Sequence, residues 1–143
     1  EKKQIRRRSI AVIDENFETF VKTSIPNLFS NNEKDILEGK IELAKNIAKS
    51  THKEGVKAAQ LGMAERPDRT EILENLDAKI LIIAGKYDNA VKTENLLKII
   101  PEKTNIKTYV LDCGHNGHWE KPTICAEIIN TELLHNLPKH FLL

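Results

Sequence analysis

The spacing of apolar residues along this chain changes near Arg66, Pro67 and Asp68. Before that point, apolar residues recur every three or four positions, a pattern that predicts amphipathic helices. They are Ile5, Ile10, Ile13, Ile36, Leu37, Ile41, Ala44, Ile47, Val56, Ala59 and Met63. Short helices of this kind need another surface to cover their apolar faces. The pattern therefore predicts that residues 1–66 form a helical cap segment and that residues 67–143 form part of a core.

Polar residues mark the ends of the predicted helices. Residues 14–16 (Asp-Glu-Asn) and 25–27 (Ile-Pro-Asn) indicate breaks, and the two asparagines at 31–32 indicate the start of a later helix. Residues 51–54 (Thr-His-Lys-Glu) have the order of a capping box, in which the first and last side chains satisfy free amide groups at a helix start. We therefore expect Thr51 to cap the helix that follows it.

After the boundary, the pattern predicts a parallel βαβ unit. Residues 80–84 are a continuous aliphatic run, typical of a strand that is covered on both faces, and the run ends at Gly85. Residues 93–100 have helical spacing and stop before a proline, and residues 106–111 predict a second strand. A connection of this kind places the two strands parallel. The last predicted helix begins at Pro122.

Polar side chains follow both predicted strands at their carboxyl ends. Asp88 leaves the first strand, and a loop that contains His115 and His118 leaves the second. Ligands of parallel α/β sheets bind at this edge because loops converge there. A carboxylate beside an imidazole fixes the tautomer of the ring and stabilises the imidazolium ion that forms on protonation. We therefore expect a carboxylate oxygen of Asp88 within hydrogen-bond reach of His115, with Nδ1 as the partner.

Three stretches resemble the α/β-hydrolase superfamily. Residues 81–88 (Leu-Ile-Ile-Ala-Gly-Lys-Tyr-Asp) are similar to its penultimate core strand and acid loop, and residues 113–122 (Cys-Gly-His-Asn-Gly-His-Trp-Glu-Lys-Pro) to its histidine loop. Residues 62–70 resemble the return from a helical cap to the core. The resemblance implies an α/β fold of partial α/β-hydrolase type, in which a helical cap precedes a parallel βαβ unit and a C-terminal helix. It also implies a serine hydrolase without a cofactor, in which His115 is the general base and acid and Asp88 orients it.

The nucleophile of that superfamily has no counterpart in this sequence. The family places it in a Gly-x-Ser-x-Gly turn upstream of the acid and the histidine. The serines lie in helical or polar-turn contexts without such glycines; they are Ser9, Ser24, Ser30 and Ser50. We therefore expect the chain to be the later part of a longer hydrolase for a small ester, amide or related carbonyl substrate, and to be inactive alone.

Two other functions remain open at this stage. The chain is alternatively a non-catalytic lid or interaction module that uses its helix faces. A parent protein with an Asp nucleophile would redirect the chemistry toward dehalogenase or epoxide-hydrolase types. The sequence upstream of Glu1 distinguishes these alternatives, because the deciding residue lies there and not among residues 1–143.

The histidine loop also permits a metal interpretation, which the spacing disfavours. Cys113, His115, His118 and Glu120 have suitable ligand chemistry, but four ligands so close in sequence rarely complete a tetrahedron. No metal is therefore predicted. Cys113 is a weak candidate nucleophile, because its place on the same loop as His115 does not ensure an attacking geometry. We expect His118 to support the loop or face solvent, and Glu120 to shape the start of the last helix together with Pro122.

Composition limits the possible partners. Charged residues form 30% of the chain but its net charge is +1, so a general field for nucleic acid is absent. A basic run at 2–8 is interrupted by an isoleucine and is predicted to be a solvated helix face. No apolar run approaches the roughly 18 residues that span a bilayer, so we expect a soluble protein without a membrane partner. Two cysteines are too few for a disulfide framework and favour the cytoplasm.

The predicted core is too small to be complete. A parallel pair with an aliphatic strand needs cover on both faces and neighbours at its edges. An open strand edge also favours pairing with another chain. Besides a small-molecule substrate, we therefore expect a homo-oligomer, a domain-swapped dimer or association with the missing N-terminal half. In either case the partner should cover the apolar face around Leu81 and Ile83.

Overall fold

Helices and short turns make up the first part of the chain. The computed structural model describes residues 2–134, to which every structural statement below refers. Four helices come first: α1 (Lys2–Glu15), α2 (Phe17–Ser24), α3 (Lys34–Ser50) and α4 (Lys53–Glu65). Two single 3₁₀ turns, Pro26–Leu28 and Asn31–Glu33, join α2 to α3. The helical character predicted for this part of the chain is confirmed.

The second part is a parallel βαβ unit with short helices around it. Its elements in chain order are α5 (Thr70–Asn75), β1 (Ile80–Gly85), α6 (Thr93–Leu97), β2 (Ile106–Leu111), α7 (Gly117–Glu120), α8 (Pro122–Ile129) and a final π-helical turn (Asn130–Leu134). The two strands pair in parallel, with Ile80 opposite Ile106 and Gly85 opposite Leu111. The predicted α/β class, with both strands and the start of the last helix, is confirmed.

Two sequence predictions about this second part need correction. The helix predicted over residues 93–100 ends at Leu97, because the backbone turns there and Ile99 N–H donates to Leu96 O at 3.1 Å. A residue that precedes proline also disfavours the helical conformation, which limits extension toward Pro101. In addition, α5 was not predicted, since a six-residue helix carries too few turns to show a clear apolar period.

The capping prediction for α4 is wrong. The helix begins at Lys53 after His52, and no side chain caps its first amides. Thr51 instead ends the preceding helix: its hydroxyl donates to Ile47 O at 3.0 Å and its N–H donates to Ala48 O at 3.1 Å. Because the hydroxyl already serves the last turn of α3, it is not available to α4. A real side-chain cap occurs at α2, where Asn16 Oδ1 accepts the Thr19 N–H at 2.9 Å.

The helical segment and the histidine loop share one apolar cluster. Phe29, Leu37 and Ile41 are its buried centre, and Trp119 of α7 packs against it. The rings of Phe29 and Trp119 meet edge to face, with centroids 6.1 Å apart. This is a favourable geometry for two aromatic rings. Trp119, which belongs to the histidine loop, therefore completes an apolar core formed by residues about 80 positions earlier in the sequence.

Glu120 connects the same two regions through hydrogen bonds. Its side chain is buried, and its carboxylate accepts the N–H of Ser30 at 3.2 Å and the N–H of Gly114 at 2.9 Å. The predicted role of Glu120 at the start of α8 is wrong, because Lys121 is the residue that precedes that helix and no side chain caps it. Buried amide groups require an acceptor, and here the carboxylate supplies it.

The two loops at the strand ends approach so closely that glycine is required. A Cβ atom on Gly85 would overlap the carbonyl oxygen of Gly114. A Cβ atom on Gly114 would lie 2.5 Å from Ser30 N and 2.6 Å from Phe29 C. Both neighbours are backbone atoms, which have little freedom to move aside. The glycines therefore allow the acid loop, the histidine loop and the helical segment to meet.

The sheet is incompletely covered. The side chains of residues 80–83 are half-buried, although the sequence predicts a strand with cover on both faces. Among residues 2–134, β1 and β2 form a two-stranded sheet, so each has an unpaired edge. Val110 on β2 is 46% exposed. Within the same residues, no helix is both long and apolar enough to cross a membrane.

The glycine contacts lead to a stability prediction. Gly114→Ala should lower the free energy of unfolding by about 1–3 kcal/mol, because the added methyl group overpacks against backbone. Gly39→Ala is the matched control: it lies inside α3 with no heavy atom within 4 Å of the added Cβ. That change should raise the free energy of unfolding by about 0.5–1 kcal/mol. Urea unfolding followed by circular dichroism measures both, and equal effects of the two substitutions would contradict the packing described here.

Candidate active site

The acid loop is held by backbone hydrogen bonds to the histidine loop. After β1 ends at Gly85, Lys86 N–H donates to Leu111 O at 2.8 Å and Tyr87 N–H donates to Cys113 O at 2.9 Å. Asp88 N–H then donates back to Gly85 O at 3.1 Å, which closes a tight turn. The parallel pairing of β1 and β2 thus continues past the strand ends. As a result, the residues that follow the two strands stay side by side.

Asp88 is buried and held at both carboxylate oxygens. Its Oδ1 accepts the N–H of Ala90 at 2.7 Å and the N–H of Val91 at 2.8 Å. This arrangement is an Asx-type turn, in which the side chain replaces a backbone carbonyl. Its Oδ2 lies 2.8 Å from Nδ1 of His115. The carboxylate therefore has a fixed orientation, with one oxygen on its own loop and the other on the imidazole.

His115 contacts the buried carboxylate of Asp88 and is itself partly exposed to solvent. Its side chain is 41% exposed, whereas that of Asp88 is 8% exposed. The predicted contact through Nδ1 is confirmed. When Nδ1 carries the proton donated to Asp88, Nε2 is the unprotonated nitrogen of the neutral ring. Within residues 2–134, Nε2 has no hydrogen-bond partner, so it is available to an incoming group.

A small cavity borders this pair. It has a volume of about 210 Å³, and its wall includes Asp88, His115 and side chains of β1 and α6. The apolar part of the wall is formed by Ile83, Ala84, Val91 and Leu96. The imidazole therefore stands at the border between a mostly apolar space and solvent.

The other polar residues of the histidine loop lie apart from this contact. Cys113 is buried, and burial raises the pKa of its thiol to about 11, so the thiol is protonated at neutral pH. A neutral thiol is a poor nucleophile. His118 is exposed, and its ring contacts Trp119 edge to face at 6.5 Å. No group of three or more His, Cys, Asp or Glu side chains within residues 2–134 has a geometry that would hold a metal ion.

The serines also lie away from the imidazole. The hydroxyl groups of Ser9, Ser24 and Ser50 donate to backbone carbonyls of their own helices, at 2.7, 2.5 and 2.8 Å. Ser30 is buried, and its Oγ accepts the N–H of Asn32 at 3.2 Å. Among the described residues, none of these hydroxyls bonds to His115. The sequence interpretation that dismissed them as nucleophiles is consistent with these positions.

Sequence reasoning missed three contributions to the site. The amides of Ala90 and Val91 hold Asp88, and an Asp followed by small or branched residues after a strand is a weak turn signal. Glu120 holds the backbone of Gly114, next to His115, but its partner Ser30 is 90 residues away in sequence. No local pattern indicates that contact. The need for glycine at Gly85 is likewise visible only once both loops are in place.

Several solved structures are similar to this chain, whereas no protein-family model and no curated protein matches it. A thermophilic esterase from Thermogutta terrifontis, solved with malate bound, is 30% identical with a TM-score of 0.82, over 94% of this chain and 50% of that chain. The α/β hydrolase MGS-M2, from a Medee basin deep-sea metagenome library, is 18% identical with a TM-score of 0.77, over 96% and 52%. The esterase EaEST from Exiguobacterium antarcticum is 15% identical with a TM-score of 0.76, over 90% and 47%.

These similarities agree with the element order and with the parallel strand pair. The chain spans about half the length of each solved hydrolase that it matches. Similarity at 15–18% identity establishes the fold alone, and each of the three matches covers 90–96% of this chain. The resemblance noted in the sequence is therefore confirmed at the level of the fold, and the chain has a partial α/β-hydrolase fold.

Proposed function

We propose that this chain supplies the base and the acid of a serine-type α/β hydrolase that acts on a small ester, amide or related carbonyl substrate. The single observation that carries the proposal is the 2.8 Å contact between His115 Nδ1 and Asp88 Oδ2. It occurs at the carboxyl edge of a parallel strand pair, where sites of α/β proteins form. Two of the matching structures are esterases, which supports an ester as the substrate.

His115 acts as general base and then as general acid in this proposal. Its Nε2 takes the proton of a serine hydroxyl while the serine oxygen attacks the substrate carbonyl carbon. The resulting imidazolium ion then donates that proton to the leaving alkoxide or amine. In the second half of the reaction Nε2 takes a proton from water, and the water oxygen attacks the acyl group in turn. The serine leaves with the proton, so the enzyme returns to its starting state.

Asp88 has a positioning and electrostatic role. Its Oδ2 holds the Nδ1 proton, which keeps Nε2 unprotonated and able to accept a proton. The negative charge also stabilises the imidazolium ion during each proton transfer. Because Ala90 and Val91 amides hold Oδ1, the carboxylate does not need to reorient when the ring becomes charged. This preorganisation lowers the cost of forming the ion pair.

The nucleophile and the oxyanion hole are assigned to residues outside this chain. The serines of the chain are bonded within their own helices or buried, and Cys113 carries a neutral thiol. The matching hydrolases are about twice as long as this chain. A further segment of polypeptide would also pair with the open sheet edge and cover the apolar residues of β1, including Leu81 and Ile83. We propose the same segment for both tasks.

The triad assignment predicts a specific mutational pattern in the complete hydrolase. His115→Ala should lower kcat on a short-chain p-nitrophenyl ester by about 10⁴-fold or more, and Asp88→Asn by about 10⁴-fold. His118→Ala is the matched control, because it removes an exposed imidazole from the same loop. Its effect on kcat should be far smaller. Steady-state kinetics at constant pH measures all three, and circular dichroism checks that each variant is folded.

Two results would contradict this assignment. Wild-type turnover by folded His115→Ala protein would exclude the imidazole as the base. Hydrolysis of haloalkanes or epoxides, together with the absence of ester hydrolysis, would indicate that the nucleophile is a carboxylate rather than a serine. In that case Asp88 and His115 would retain their geometry, but the reaction would belong to the dehalogenase or epoxide-hydrolase type.

The incomplete sheet predicts the behaviour of the chain on its own. Without a covering segment, the purified 143-residue chain should form dimers or larger oligomers, because the apolar face of β1 and the open edge are buried by another copy. Multi-angle light scattering at micromolar concentration should therefore give at least twice the mass of one chain. A folded monomer under these conditions would contradict the proposed association.

The same sample should have no esterase activity. Among residues 2–134, no hydroxyl group forms a hydrogen bond with His115, so the base has no nucleophile to activate. The p-nitrophenyl ester assay should give the rate of buffer alone, and His115→Ala should not change it. Turnover that His115→Ala abolishes would show that a nucleophile is present within these residues.

A further inference from the structure

A second, larger cavity lies on the other side of the acid loop. This cationic groove runs between the first turns of α1, the end of α4, the loop into α5 and the residues after Asp88. Its volume is about 750 Å³, which is within the range of small-molecule sites. Five cationic side chains line it: Lys2, Lys3, Arg6, Arg66 and Arg69. They come from two stretches of sequence that the packing of α1 against α4 brings together.

The cations of this groove are not neutralised by the protein. Among residues 2–134, no carboxylate lies within salt-bridge distance of any of the five. Lys2 donates to the Ala90 carbonyl at 3.0 Å, and Arg6 donates to Gln60 Oε1 at 3.4 Å. Arg7, which is on the same helix but outside the groove, pairs with Glu65 at 3.8 Å. Positive charge is thus concentrated here although the whole chain has a net charge of +1.

Among the described residues of the wall, one acidic side chain, Asp68, offsets only part of this positive charge. Asp68 Oδ1 accepts the N–H of Thr70 at 2.9 Å and its hydroxyl at 2.6 Å, so this carboxylate oxygen serves the start of α5. A concave surface with several cations and one carboxylate has an excess of positive charge and attracts anions. Its low-dielectric walls concentrate the electrostatic field. Arg66 and Arg69 also have planar guanidinium groups, which bind two oxygens of a carboxylate or phosphate at once.

Large apolar side chains form another part of the wall. They are Met63, Leu73, Val91 and Ile99. Ile99 is 48% exposed and Met63 is 36% exposed, so the apolar surface is open to a ligand. A bare inorganic ion would leave this surface in contact with water. A ligand that joins an anionic group to a short aliphatic chain would cover it.

We propose that the cationic groove binds a small organic anion, in which a carboxylate or a phosphate is attached to a short aliphatic chain. The anionic group lies against Arg66, Arg69 and the lysines, and the aliphatic part lies against the apolar wall. Val91 is in that wall, and its N–H holds Asp88 Oδ1, so a ligand in the groove also contacts the acid loop. Anion binding in the groove does not depend on hydrolase activity, so it can be tested independently of the proposed triad.

Titration calorimetry on the full 143-residue chain tests this proposal. The probes are hexyl phosphate and hexanoate, with hexanol and inorganic phosphate as controls for the aliphatic and anionic parts. Arg66→Gln combined with Arg69→Gln should weaken binding of the better hexyl anion by about tenfold or more, because charge-assisted hydrogen bonds are lost. Both arginines are exposed, so folding should be unaffected. Binding by hexyl phosphate, by hexanoate or by both identifies which anionic group the groove prefers.

A matched double variant distinguishes binding at a specific site from a general effect of lost positive charge. Arg8→Gln combined with Lys34→Gln also removes two positive charges, but from exposed positions outside the groove. At 0.15 M salt this variant should change the Kd by less than about twofold, since distant exposed charges are screened. Equal weakening by both double variants would overturn the proposal. So would an absence of binding by both hexyl anions, or an affinity for inorganic phosphate as high as for hexyl phosphate.

Discussion

The parallel, in-register pairing of β1 with β2 is the constraint on which the candidate site depends. It ends both strands at one edge, with Gly85 opposite Leu111, and its hydrogen bonds continue into the loops through Lys86 and Tyr87. The close backbone approach at Gly85 and Gly114 then removes the space that side chains would occupy. Asp88 and His115, 27 residues apart in sequence, reach 2.8 Å as a direct result. Backbone geometry therefore places the two side chains next to each other.

The helical segment supports this edge from the outside. Trp119 packs on Phe29 in its apolar cluster, and Glu120 binds the amides of Ser30 and Gly114. A buried carboxylate with two charge-assisted hydrogen bonds is a strong link, and its removal would leave two amides without an acceptor. The histidine loop is thus held by β2 on one side and by the helical segment on the other. This double support explains how an imidazole that is 41% exposed can keep one orientation.

Local patterns in the sequence were sufficient for the main elements and for the contact between Asp88 and His115. Both strands, the start of the last helix and the break before α2 follow from apolar runs, proline and asparagine, because such signals depend on neighbouring residues. The wrong capping predictions concern side chains whose hydrogen-bond partners lie outside the helix that they were predicted to start. Thr51 and Glu120 both match familiar helix-start patterns, yet one ends α3 and the other binds Ser30. The cationic groove was also not predicted, because its two groups of cations lie about 60 residues apart in sequence. Only the packing of α1 on α4 brings them together.

A crystal structure of the complete hydrolase that contains this chain, in complex with a phosphonate ester inhibitor, tests the central claim most directly. We expect a serine Oγ from outside residues 1–143, bonded to phosphorus, within about 3.2 Å of His115 Nε2, while Asp88 remains on Nδ1. The added polypeptide should also pair with the open edge of the sheet and cover Leu81 and Ile83. An Nε2 that faces solvent with no nucleophile beside it, or a carboxylate in the place of the serine, would contradict the serine-hydrolase assignment.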